Sequence, residues 1–97
     1  MAEFTVTASE LRNKAGELER LNKSLEQKIQ ALDNENRNLA SMWEGDAKDA
    51  FATSFERDKA KMMLFHTEIG KYIAALRNIA SKYDVAERTN VATAQAN

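Results

Sequence analysis

Leucine recurs at every seventh position, from Leu11 through Leu18, Leu25 and Leu32 to Leu39, and no proline interrupts any of the 97 residues. A seven-residue recurrence keeps side chains on one face of an α-helix, whereas a strand alternates faces and would scatter an odd spacing over both. Ala15, Leu21 and Ile29 join the row, and together these positions fill an arc of roughly 120°. Thr7 and Glu10 stand ahead of it with the spacing of a capping box, so the first helix is expected over about residues 8–40. A leucine heptad also suggests a parallel zipper. The companion positions at Lys14, Lys28 and Glu35 are charged, however, and the row follows the period of a bundle helix better than a two-stranded seam.

A second helix is expected from Asp46, read as an N-cap with Asp49 in its first turn, to about residue 86. Its apolar stripe runs through Ala47, Phe51, Phe55, Met62, Phe65, Ile69, Tyr72, Ile73, Leu76, Ile79, Ala80 and Tyr83 at spacings of three and four, with Asp58 as a charged intruder. The connection is short, which forces the helices antiparallel. The expected fold is therefore all-α: a single helix-turn-helix hairpin over residues 1–97, with residue i roughly opposite residue 86 minus i. Residues 87–97, small and polar, are expected to form a flexible tail.

The turn segment "SMWEGDAKDAF", residues 41–51, holds the chain's one tryptophan, Trp43. Reversing the chain calls for a residue with positive φ, the role expected of Gly45, and Trp43 is expected to cover the exposed end of the core. Gly16 and Gly70 fall at about the same height, marking either a close backbone approach or two helix-weakening positions.

Two paired helices cannot cover both apolar stripes. Met62, Met63, Leu64 and Phe65 are consecutive and wrap around the helix, so one neighbour cannot bury them all, and they are the expected dimer interface. The simplest partner is a second copy, completing a four-helix bundle.

Fourteen Lys and Arg against 15 Asp and Glu leave no basic bias to attract nucleic acid. With no cysteine, disulfides, thiol catalysis and zinc-thiolate sites are excluded. The opening "MAEFTVTASE" lacks the basic and apolar segments of a Sec-type signal peptide, and the longest apolar run, "YIAAL", is too short to span a membrane. His66 has no recognisable catalytic companions and reads as a surface or packing residue; no enzyme activity, cofactor or metal is expected. "ERDKAK" at residues 56–61 reads as i,i+4 ion pairs on a solvated face.

A chain of about a hundred residues with a central W-x-G between two helices resembles the WXG-motif family of small type VII secretion substrates, the early secreted antigenic target group. The resemblance covers the whole chain. It extends to a Y-x-x-x-[DE] element, supplied here by "YDVAE" as Tyr83 and Glu87. The resemblance implies a hairpin that dimerises with itself or a relative and leaves the cytoplasm folded, by a leaderless route, through a machine driven by an FtsK/SpoIIIE-type ATPase. It implies too that Tyr83 and Glu87 belong to the export signal, beside the W-x-G of the partner. An antiparallel dimer would bring those two ends together. The alternative function is a cytoplasmic adaptor or chaperone that pairs with a larger effector for export. A membrane-disrupting role finds no basic polar face to support it.

Overall fold

The computed structural model describes residues 6–96. They form two helices, α1 (Ala8–Met42) and α2 (Asp46–Ala96), folded against each other as a hairpin. Thr7 caps α1: its backbone is extended and its Oγ1 accepts a hydrogen bond from the Glu10 N–H at 3.1 Å. At the tip Trp43 leaves the helix with φ −122° and ψ 130°, and Gly45 takes the expected positive φ, 113°. Asp46 is already helical. The position ahead of α2 belongs to Gly45, whose carbonyl accepts from the Lys48 N–H, so Asp46 acts through its charge beside the helix's positive end instead of as the N-cap.

α2 does not stop near residue 86. It continues to Ala96, so the helical part of "RTNVATAQAN" replaces the expected tail, and only Asn97 of that segment lies outside the described residues. The segment contains neither glycine nor proline and places alanine at 92, 94 and 96, leaving nothing to end the helix. At 1.5 Å per residue α2 spans about 75 Å, close to the 79 Å long axis, and outruns α1 by about 25 Å.

The seam between the helices differs from the expected one. Its buried α1 residues are Ala8, Ala15, Asn22 and Ile29, a second seven-residue row running beside the leucines, and α2 buries Ile73 and Ala80. Leu11, Leu18 and Leu25 are half-buried, while Leu21, Leu32 and Leu39 are exposed. Small residues let the two backbones approach, which moves the bulkier leucines to the open side of the hairpin.

The register also shifts. Asn22 meets His66, Asp33 meets Lys59, Glu19 meets Arg77 and Arg12 meets Asp84, two to ten positions further along α2 than expected. The reversal is centred near Glu44 and Gly45, and the long Arg and Lys side chains reach along the hairpin for the rest. A Cβ on Gly70 would meet nothing within 4 Å, and one on Gly16 would come no closer than 3.8 Å to Arg20 Nη1. Neither glycine marks a close backbone approach.

Candidate functional site

The tip is built by the break at Trp43. Leaving the helix swings the indole back over the first turns of α2, where it packs on Phe51 with ring centroids 5.6 Å apart and planes tilted by 51°. Trp43 remains half-exposed, and the two rings line a groove of about 110 Å³ with Leu39, Ala40, Ala52 and Phe55. Asp33, Arg37, Lys48 and Glu56 form its charged rim. The surface is suited to receiving an apolar or aromatic side chain with a polar tip.

Midway along the seam lies a polar layer. Asn22, 7% exposed, donates from Nδ2 to the His66 carbonyl at 3.1 Å, while its Oδ1 is buried without a partner. His66 Nε2 sits 3.3 Å from Glu26 Oε2, so the lone histidine is a half-buried packing residue. Lys59 crosses to Asp33 at 3.3 Å, and Asp33 also takes Arg37 at 3.1 Å. This corrects the reading of "ERDKAK" as pairs within one helix: Lys59 faces the seam and finds its carboxylate on α1. The sequence reasoning missed Asn22, Asp33 and Lys59 because it followed the leucines. The neighbouring Ala8, Ala15, Asn22, Ile29 spacing carried the signal.

Towards the far end, Arg77 pairs with Glu19 at 2.7 Å and Arg12 with Asp84. Tyr83 and Glu87 lie beside this last cross-helix pair, both exposed, four residues apart on one helical face. Trp43 and Tyr83 sit towards opposite ends of the hairpin and do not meet within one chain. About 55 Å of helix separates Asp46 from Tyr83.

The third feature is the open side. Phe51, Phe65, Tyr72 and Ile79 are exposed on α2 next to the half-buried Phe55, Met62, Ile69 and Leu76. Of the four consecutive apolar residues, Met62 is half-buried and Met63, Leu64 and Phe65 are exposed, Leu64 by 61%. Large apolar side chains exposed together in this way are a common mark of interaction surfaces.

Among families of known proteins, the one described as "Proteins of 100 residues with WXG", WXG100, matches residues 3–88. The chain belongs to this family. The WXG100 hairpin is also similar to solved structures of the secreted protein ESXB from Bacillus anthracis strain Sterne. One is 24% identical with a TM-score of 0.79, covering 90% of this chain and 99% of that one. Another, the wild-type protein in space group P21, is 25% identical with a TM-score of 0.76, covering 86% and 89%. No curated protein matches the chain. Trp43 and Gly45, the W and G of this WXG100 protein, are thus the residues that leave the first helix and reverse the chain. Among the described residues no helix is long and apolar enough to cross a membrane, and no group of His, Cys, Asp or Glu could hold a metal ion.

Proposed function

We propose that this chain is a small substrate of a type VII secretion system, exported folded as a dimer and acting through protein contacts. The observation that carries this reading is a WXG100 match along nearly the whole hairpin, combined with an open apolar side that a single chain leaves in water. The likeness to a secreted protein of the same architecture supports it. On this reading the chain folds in the cytoplasm, pairs with itself or a relative, and is taken up without a leader by an FtsK/SpoIIIE-type ATPase. Met62, Met63, Leu64 and Phe65 then contribute to the dimer contact. Tyr83 and Glu87 form the address, presented on a regular helix beyond most of the contacts with α1. An aromatic ring and a carboxylate on one face offer a receptor an anchor and a charge-assisted hydrogen bond.

The test compares culture supernatants of strains with and without the secretion ATPase. The protein is expected outside only where the ATPase is present, and equal amounts in both supernatants would refute the reading.

A further inference from the structure

Four consecutive apolar residues cannot all serve one contact, and helix geometry says where the odd one points. Leu64 and Ile73 are nine residues apart, which at about 100° per residue places them on opposite sides of α2. Ile73 is buried in the seam, so Leu64 faces away from α1, and it is exposed. At its own level it also lies about 100° from Phe65, which belongs to the open side. We propose that Leu64, bordered by Arg57 and Lys61, is a docking site for an acidic helical segment of a different protein. The proposal goes beyond the dimer reading above and narrows it, because it takes Leu64 out of the contact between copies.

Two observations carry it. The first is the surface around the leucine. Ala60, four residues before Leu64, and Thr67, three after, share its face and are exposed. The Thr67 hydroxyl is already engaged, donating to the Met63 carbonyl at 3.1 Å. The strip therefore offers apolar contact and asks for no polar partner.

The second observation is charge. Arg57 and Lys61 stand two turns and one turn before Leu64, both exposed, and neither enters an ion pair among the described residues. Other cations of α2 are engaged: Lys59 crosses to Asp33, Arg77 to Glu19, and Lys71 takes Glu68 at 3.1 Å. Asp58, three residues before Lys61, falls in the open stripe and pairs with neither cation. Like charges four residues apart on a helix repel, so the fold gains nothing from having Arg57 beside Lys61. A partner helix with carboxylates four residues apart beside an apolar anchor matches this surface. A second copy of the chain does not, since it would set these two cations against themselves.

The probe is a fluorescein-labelled synthetic helix with leucines along one face and glutamates four residues apart beside them; its control carries lysines in place of the glutamates. The acidic peptide is expected to bind the wild type at micromolar concentration and to lose affinity as salt rises, while the lysine peptide does not bind. Leu64→Glu and the double change Arg57→Glu, Lys61→Glu should each weaken binding about tenfold or more, and the double change should take up the lysine peptide instead. Tyr72→Ser, on the open side, should leave peptide binding unchanged. By light scattering Leu64→Glu should keep the mass of the wild type, with its helicity intact. A Leu64→Glu protein that is monomeric where the wild type is dimeric returns Leu64 to the contact between copies and overturns the proposal. Failure of the acidic peptide to bind, or binding that Tyr72→Ser abolishes, overturns it as well. Retention on phosphatidylserine vesicles that Leu64→Glu abolishes would assign the face to a membrane, with the same consequence. A wild type that is itself monomeric refutes the dimer reading alone, because the docking face belongs to a single chain.

Discussion

Replacing Asn22 by leucine is expected to stabilise the protein while loosening its register. Asn22 is buried in the seam, its Oδ1 has no partner, and its Nδ2 bonds to the His66 carbonyl. That carbonyl lies inside α2, where the helix supplies its own donor, so losing the asparagine leaves no new orphan. Removing the unpartnered acceptor recovers about 1–3 kcal/mol, and losing the side-chain hydrogen bond gives back about 0.5–1.5 kcal/mol. Burying the leucine adds about 1.5–3 kcal/mol, discounted by the strain of fitting a slightly larger side chain between the helices. A net gain of about 1–3 kcal/mol follows. The assay is urea unfolding followed by far-ultraviolet circular dichroism at several protein concentrations, because association contributes to the stability of a dimer. The cost should appear as broadened or doubled amide resonances in the NMR spectrum, since a buried asparagine in a helical seam specifies register at the expense of stability. A variant of unchanged helicity that is less stable by 1 kcal/mol or more would refute the reasoning: Oδ1 would then have a partner worth more than the apolar contact that replaces it.

Other substitutions probe the tip, the helices and the tail. Trp43→Ala should cost less than the roughly 3–5 kcal/mol of a fully buried tryptophan, because the ring is half-exposed on Phe51, and should lower export by more than that loss explains; thermal unfolding and supernatant blots separate the two. Gly45→Ala should destabilise by about 1–2 kcal/mol although nothing lies within 4 Å of its Cβ, because a φ of 113° strains any L side chain. Gly70→Ala meets open space in regular helix and should stabilise by about 0.5–1 kcal/mol, measured by the same unfolding titration. The double change Tyr83→Ala, Glu87→Ala should leave helicity and association intact and abolish export, so that folded protein accumulates in the cells. Wild-type levels of that variant in the supernatant would remove the address from this end of α2.

The two helices, the Thr7 cap, the positive φ of Gly45 and the hairpin all followed from the sequence, because each is a local matter. A seven-residue apolar row, a hydroxyl three positions before a glutamate and a glycine between two helices are decided within a few residues. α2 runs past residue 86 for a local reason too, since small polar residues without glycine or proline do not end a helix. What the sequence could not settle is which of two adjacent rows on α1 faces α2. Leucines offer more apolar area, but alanines allow closer backbones, and the choice depends on what the opposite helix presents at each level. Only the tertiary structure resolved it, putting Ala15, Asn22 and Ile29 in the seam and the leucines on the open side. It likewise joined Asn22 to His66 and Asp33 to Lys59, contacts between residues far apart in the chain whose pairing is set by the register of the whole hairpin.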